Sequence, residues 1–600
     1  MSQSPVLEKG ILIRRALFIL VLILLTAGNI FALFRGLNTQ QGMEHAQMAR
    51  EIARGNGFTT KVIRPVAYDQ ATKGGKEQLE FTNFRDTYHA PLNPLINAGV
   101  FRLIGAHEFG PWKMQEKEMV FALDRVVAAV STLFFLVSIA VTYLLVSRIF
   151  DPKIAGVTAI IMLFCQSFWD FSLSGLPQML MLLLFSSAIY FAYRAVEAQA
   201  EGKFPYVPAL LAGLFFTLLA LTHWLAVWIA LGYIIYAAVA FRPRGIIGIS
   251  ILVMLIIAGV GPMLRAYNIT GSPFGTAFLA LYNGLSSGTE EMVMRSPDLT
   301  TAPTITDGLI MKIVRTTLLQ TTEIIPLLAG IVVAPLFFLA LLHPFKRPPI
   351  ANFRWTILAM WISAAIGLSL YGVSTEGLDP NQLHILFAPI MCAYGIAFIS
   401  ILWARIEAIA SAPFLKNAHL VIIVCVCAMP MMIALPSRIT LGLNTRDSGG
   451  VPHWPPYYAP ALNTALNRLV DEKQIIVADQ PWAVAWYADR ISVWLPTTRR
   501  GFEKLETAAA DSQTPFSGIL ITPVSSQAGS IAEIQRKYVD FTSLVIDGRV
   551  LQATQRIRTF DQDAKIEAIA KRYPHPNAIL GVDMIYYGDR AFRYADEPKN

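Results

Sequence analysis

Long apolar runs alternate with short basic links along most of this chain, and that alternation is its strongest signal. A helix needs about 20 apolar residues to cross a bilayer. Runs of that kind recur at 16–34, 124–147, 153–169, 177–195, 207–221, 223–241, 245–266, 324–343, 354–373, 383–403 and 418–436. They predict a mainly α-helical, polytopic membrane bundle of about eleven spans. Lys9, Arg14 and Arg15 precede the first run, which lacks a small-residue cleavage site. It reads as a signal anchor with its N-terminus in the cytoplasm. The links then predicted on the cytoplasmic side are all short and basic: Arg148 and Lys153, Arg194 and Lys203, Arg242 and Arg244, Lys346 and Arg347, Arg405 and Lys416. An odd number of spans leaves residues 437–600 outside, and the boundary near residue 222 decides that parity.

Two outer segments are long, 36–120 and 268–322, and long connections usually carry function or structure of their own. In the first, Met43, Ala46, Ala49, Ile52 and Ala53 recur at helical spacing, and Gly55-Asn56-Gly57 supplies a stop. This predicts a helix over 43–54 that lies on the membrane surface. After Pro436 the texture changes. Helix-like and strand-like runs alternate through Tyr458–Asp471 (helix), Gln474–Asp479 (strand), Trp482–Asp489 (helix), Ser492–Leu495 (strand), Gly501–Asp511 (helix), Gly518–Thr522 (strand) and Ile531–Tyr538 (helix). The expected organisation is a membrane domain over 1–436 and a soluble extracytoplasmic α/β domain over 437–600.

Composition narrows the functional classes. Of 600 residues, 54% are hydrophobic and only 15% charged, with a mean hydropathy of +0.49, where a soluble domain carries about a quarter charged residues. The net charge of +8 sits in the basic links and forms no block with interleaved aromatics, so nucleic-acid binding is not expected. Cys165, Cys392, Cys425 and Cys427 all fall within apolar runs. That excludes a disulfide framework and a paired-cysteine zinc site.

Ionisable groups near membrane depth are costly and point to function. Those found here gather toward the outer leaflet: Glu44 and His45 on the predicted surface helix, His89 in Tyr88-His89-Ala90-Pro91-Leu92-Asn93-Pro94, Asp124 and Arg125 entering the second span, Asp170 after the third, Arg265 leaving the seventh, and His384 entering the tenth. An acid, two guanidinium groups and imidazoles suit a lipid-phosphate donor. Arg265 and Arg125 could pair with phosphate oxygens, and Glu44 could deprotonate an acceptor hydroxyl. Plainer roles are open for each: Glu44 solvating its helix, Arg265 an interfacial anchor, Arg125 a partner of Asp124, Asp170 a turn cap, His89 a cap of its proline-rich turn. Trp454-Pro455-Pro456-Tyr457-Tyr458 and Trp482, Trp486 and Tyr487 could stack on sugars or simply pack a small domain.

The layout resembles the type-C glycosyltransferases, multispanning enzymes that use polyprenyl-phosphate sugars and include protein O-mannosyltransferases and the lipid A aminoarabinose transferase. Five motifs in order carry the resemblance. They are Met43-Glu44-His45-Ala46-Gln47-Met48-Ala49-Arg50 with Gly55-Asn56-Gly57-Phe58, His89-Ala90-Pro91-Leu92-Asn93-Pro94, Asp124-Arg125, Pro262–Asn268 with Gly271-Ser272-Pro273, and Leu383–Pro389. The resemblance implies transfer of a sugar from a polyprenyl-phosphate donor to a lipid, glycan or protein acceptor on the outer face of a bacterial-type inner membrane. Glu44 would be the base, Arg265 and Arg125 would hold the phosphate, and His89, His384 and His45 would line the site. It also offers Asp170 as a ligand for a divalent cation, Mg or Mn. The chain departs from the family pattern where an aspartate is usual and Glu44 stands, where an arginine is usual and His384 stands, and at Ala266 in place of asparagine. Two other readings follow from the same residues: a transporter or flippase, which predicts internal repeats that the sequence lacks, and a catalytically inert relative acting as a binding module.

Overall fold

The computed structural model describes residues 5–447 and 459–589, apart from 76–78, 109, 116–117, 119, 286–288, 303, 376, 407–412, 528, 555–565 and 580–583. Seven of its helices are long and apolar enough to cross a membrane: Ala16–Leu33, Ala122–Ile149, Gln178–Ala200, Ile246–Thr270, Pro348–Tyr371, His384–Trp403 and Leu415–Thr440. An eighth span is available where Pro152–Leu163 and Gln166–Leu173 meet at a 54° bend. The indole N–H of Trp169 donates to the Leu163 carbonyl at 2.7 Å and satisfies a backbone group freed at that break. Tyr206–Thr222 and Trp224–Ala240 are apolar but shorter. The chain is a multi-pass membrane protein.

One expected span departs from the sequence reading. The run at 324–343 is apolar enough, yet it is divided among the short helices Gln320–Ile324, Leu328–Gly330 and Leu336–Ala340. Pro326 and Pro335 each remove a helical hydrogen bond, and Ala329 and Gly330 take positive φ between them. Hydropathy registers none of this, because proline and glycine interrupt the backbone without making the segment polar.

Outside the bundle, the alternation after residue 458 becomes one six-stranded sheet. Its strands are β1 (Val62–Ile63), β2 (Ile475–Ala478), β3 (Ile491–Trp494), β4 (Phe516–Ile521), β5 (His575–Ile579) and β6 (Met584–Gly588). The order is β1-β3-β2-β4-β6-β5. The first four run parallel, β6 is antiparallel to β4, and β5 is antiparallel to β6. β2, β3 and β4 are buried along their whole length, which is why they read as continuous apolar runs rather than alternating ones. The helices between them start where local chemistry dictates. Thr498 caps Arg499–Asp511, and Ser530 with Glu533 forms a capping box on Ile531–Tyr538. The aromatic run Trp454–Tyr458 lies outside the described residues.

Strand β1 comes from the outer segment 36–120, not from the C-terminal segment. Val62 pairs with Ser492 and Ile63 with Val493. The helix expected at 43–54 spans Gln40–Arg54 and ends at Gly55 in the left-handed region. It does not lie on the membrane surface. Residues Gly42–Glu51 are all buried, because both faces are covered. On one side Gly42 sits directly on the Ser174 carbonyl, with no room for a Cβ. On the other, Arg50 stacks over the Trp486 ring at 4.7 Å and donates to the carbonyls of Ala485 and Trp486 at 2.9 and 3.1 Å.

Asp489, itself left-handed at φ 54°, closes this contact. Its carboxylate meets Arg50 at 3.1 Å, Arg54 at 2.7 Å and Lys61 at 2.6 Å. Burial alone would raise its pKa, yet the three cations hold it far below the ordinary carboxylate range. A second tie is Asp124, which accepts from the Trp486 indole at 2.6 Å, the Tyr487 hydroxyl at 2.9 Å and the Leu37 amide at 3.3 Å. Removing the carboxylate in Asp489→Ala leaves three buried or half-buried cations facing one another. The expected cost is about 3–5 kcal/mol, read as a lowered thermal unfolding midpoint of the full chain in detergent, while Asp489→Asn restores only part of it.

Candidate active site

The pieces singled out in the outer segments converge on one buried cluster. Glu44 Oε2 lies 2.7 Å from Arg64 Nη2 and 2.8 Å from His89 Nε2. His89 Nδ1 faces Asp86 Oδ1 at 3.1 Å, and Asp86 Oδ2 accepts from the backbone amides of Tyr88 and His89 at 3.1 and 2.8 Å. The imidazole is therefore held between two carboxylates. Burial would lower its pKa, but Asp86 and Glu44 together raise it to about 9. The same cluster holds both acids ionised. Burial opposes this for each, while Arg64 and His89 keep Glu44 below the ordinary carboxylate range and His89 and Arg64 keep Asp86 far below it.

Arg265 does not reach toward a ligand in this arrangement. Its guanidinium donates to the carbonyls of Asp86 at 2.5 Å and Phe58 at 2.6 Å and lies over the Phe58 ring. It thereby fixes the turn that carries Asp86 and His89. His45 packs edge-on to His89, with ring centroids 4.9 Å apart, and its Nδ1 bonds the Asn93 amide at 3.0 Å. Burial pushes the His45 pKa well below its usual value, and the His89 cation adds to that. Arg125 stays in the first turn of Ala122–Ile149 and lines neither of the cavities described next.

Two cavities open beside the cluster. The larger, of about 700 Å³, lies among the ends of membrane helices and is lined by Arg35, Asp170, Glu323, His384 and Arg438 among apolar side chains such as Phe34, Phe171 and Leu327. Asp170 pairs with Arg438 at 2.9 Å, and His384 Nε2 contacts Gln320 Oε1 at 2.8 Å. The smaller, of about 560 Å³, lies between the cluster and the sheet, with Arg64, Tyr88, Glu290 and Trp482 on its wall. Asn38, Gly377 and Leu378 line both, so the two share a boundary.

Two of the expected site residues stand in surroundings that bear on their roles. Glu44 is fully buried and lines neither cavity, although its partners Gln40 and Arg64 line the smaller one. Its charge is already committed to two cations, which makes it a weak base where it stands. Asp170 faces the larger cavity, but its neighbour is a guanidinium rather than a second acid. Among the described residues no group of three His, Cys, Asp or Glu could hold a metal ion. A divalent ion at Asp170 would have to take its remaining positions from water and substrate phosphate. Asp86 and Arg64 escaped the sequence reading, although Asp86 three residues before His89 is a spacing that puts a carboxylate within reach of an imidazole across a turn. Arg438 had no local signal at all.

Residues 118–264 match the sequence profile of the dolichyl-phosphate-mannose-protein mannosyltransferases. The architecture is shared with ArnT from Cupriavidus metallidurans solved with undecaprenyl phosphate, at 13% identity and a TM-score of 0.52, over 85% of this chain and 94% of that one. It is shared too with the apo oligosaccharyltransferase of Archaeoglobus fulgidus, at 10% identity and a TM-score of 0.51, over 88% of this chain and 72% of that one. A sequence search among curated proteins finds no match. The chain has the fold of the type-C glycosyltransferases, as its five motifs anticipate.

The protonated His89 gives the cluster a pH signature. A folded-state pKa raised to about 9 above the unfolded value of about 6.5 contributes stability that is complete below pH 6.5 and is lost as pH rises through about 9. The stability advantage of the wild type over His89→Gln should therefore shrink steadily across that window in thermal unfolding, and an advantage that stayed constant would contradict the assigned charge.

Proposed function

We propose that this protein transfers a sugar from a polyprenyl-phosphate donor to an acceptor hydroxyl on the outer face of a bacterial-type inner membrane. The bundle over 1–436 would hold the donor, and the α/β unit after residue 437 would stand outside. The observation that carries this reading is the larger cavity. It combines apolar walls at the ends of membrane helices with two guanidinium groups, Arg35 and Arg438, and an acid, Asp170. Apolar walls suit a lipid chain, and guanidinium groups suit the phosphate that leaves. The ArnT structure with the same fold is described as bound to undecaprenyl phosphate.

In this reading Asp170, not Glu44, is the base. Donor phosphate draws Arg438 off Asp170 and leaves a carboxylate beside the reacting centre. Asp170 takes the proton of the acceptor hydroxyl, whose oxygen bonds the sugar's anomeric carbon. The bond from that carbon to the phosphate oxygen breaks, and the polyprenyl phosphate departs with its charge held by Arg35 and Arg438. His384 borders the same cavity and packs against it. Glu44, His89, Asp86 and Arg265 form the scaffold that holds Arg64 and Tyr88 at the edge of the smaller cavity.

The test is donor consumption by purified protein in nanodiscs, followed by mass spectrometry over a panel of polyprenyl-phosphate sugars. Asp170→Asn should lower turnover by about 10²–10⁴-fold while retaining donor binding. Glu44→Gln should lower the thermal midpoint more than it lowers turnover. Turnover that survives Asp170→Asn but vanishes in a folded Glu44→Gln would return the base to Glu44. Donor binding with no turnover in the wild type would favour an inert relative.

A further inference from the structure

The smaller cavity has a composition of its own, and its walls come from both halves of the chain. Four carboxamides face it: Asn38, Gln40 and Gln41 from the start of the helix that carries Glu44, and Gln480 from the sheet domain. Glu290 lies across from them and accepts the Tyr88 hydroxyl at 2.7 Å. Trp482, Trp494, Met294 and Leu176 supply apolar surface between these polar groups, and Arg64 and Lys537 add positive charge.

The cavity lies at the carboxyl ends of the parallel strands β2 and β3. From β2 the chain crosses to β3 on one side, and it then crosses back to β4 on the other side of β2. Loops leaving the carboxyl ends of β2 and β4 diverge at that point, and it is the segment after β2, with the end of β3, that reaches the cavity. Gln480 and Trp482 follow directly after β2, and Trp494 closes β3. Asp479 ties the two loops together by accepting from the Thr522 amide and hydroxyl at 3.0 and 2.9 Å.

Among the described residues, two polar atoms in this wall lack partners. The Trp482 indole N–H is buried without an acceptor, and Trp482 is 4% exposed. The Asn38 side-chain carbonyl is likewise buried without a donor, and Asn38 lines both cavities. Buried polar groups are nearly always paired, and an orphan facing a cavity marks a place for a ligand atom. One orphan is a donor and the other an acceptor, which is what a hydroxyl can satisfy at either end.

We propose that the smaller cavity is the acceptor site and that the acceptor it takes is a carbohydrate. Carboxamides, a carboxylate and an indole N–H match the dense, alternating donors and acceptors of a polyol, and about 560 Å³ is within the range of small-molecule sites. Asn38 accepts from a neighbouring hydroxyl of the acceptor and so aims the reacting hydroxyl across the boundary between the cavities. The reacting oxygen forms the new bond to the anomeric carbon of the donor, its proton passes to Asp170, and the sugar–phosphate bond breaks toward the lipid. The inference rests on the transfer reaction proposed above.

The experiment uses the full chain in nanodiscs and reads saturation-transfer NMR with maltotriose, cellotriose and chitotriose as probes. An unglycosylated serine-containing peptide serves as the contrasting probe. Undecaprenyl phosphate binding is measured on the same samples by native mass spectrometry. At least one trisaccharide should bind saturably. Trp482→Phe and Gln480→Ala should each weaken it about three- to tenfold, the range for losing one buried hydrogen bond, while lipid-phosphate binding is unchanged. No saturable trisaccharide binding, saccharide binding indifferent to both substitutions, or binding of the peptide instead would overturn the assignment. Loss of lipid-phosphate binding in the wild type would sink the transfer reaction and leave the saccharide result standing separately.

Discussion

The arrangement of both cavities depends on burying one polar helix from two sides. Gln40–Arg54 carries glutamates, arginines, a histidine and glutamines, and nearly all of it is out of solvent. Such a segment is stable inside a protein only if each charge finds an opposite one. Its C-terminal half does so through Asp489, which gathers Arg50, Arg54 and Lys61. Its N-terminal half does so through Glu44 with Arg64 and His89. The charges on one side of the helix thus bind it to the sheet domain, and those on the other bind it to the turn that Arg265 clamps. The first of these ties could not form if the C-terminal segment stood apart from the membrane bundle.

The same constraint explains why the acids divide into two kinds. Glu44, Asp86 and Asp489 lie in low-dielectric surroundings and remain ionised because cations surround them. A carboxylate stabilised that strongly has little affinity for a proton and serves poorly as a base. Asp170 is held by one guanidinium at the edge of an open cavity. Its other contact is the neutral Gln166 amide at 3.3 Å, so Arg438 is the charged partner for which a phosphate can compete.

Much of this was legible in the residues. The seven alternating elements after residue 458 match their observed helices and strands closely, because apolar strand runs, caps and short links are all local signals. The membrane character and the convergence of Glu44, His45 and His89 were legible too. The missing parts are long-range. Strand β1 is two residues long and gains its identity only by pairing with β3, more than 400 positions away. The roles of Asp124, Asp489 and Arg438 depend on partners brought together by the fold. Arg265 sits in a motif that suggested a phosphate ligand, and sequence cannot tell a guanidinium aimed at a ligand from one aimed at two backbone carbonyls.

Sharing Asn38, Gly377 and Leu378 between the cavities has a chemical consequence. A lipid-linked donor approaches through apolar walls, whereas a polar acceptor must stay out of them, and one continuous chamber would have to satisfy both. In the proposed reaction, two chambers meeting at Asn38, Gly377 and Leu378 resolve that conflict. Each substrate is solvated by walls of its own kind, and only the reacting oxygen has to cross. Asn38, two residues before Gln40, forms one side of that boundary, so the buried helix that binds the sheet domain to the bundle helps to fix where the two chambers meet. Binding energy gained along either chamber is then used to align atoms at that boundary, which is how remote contacts lower a barrier at the reacting centre.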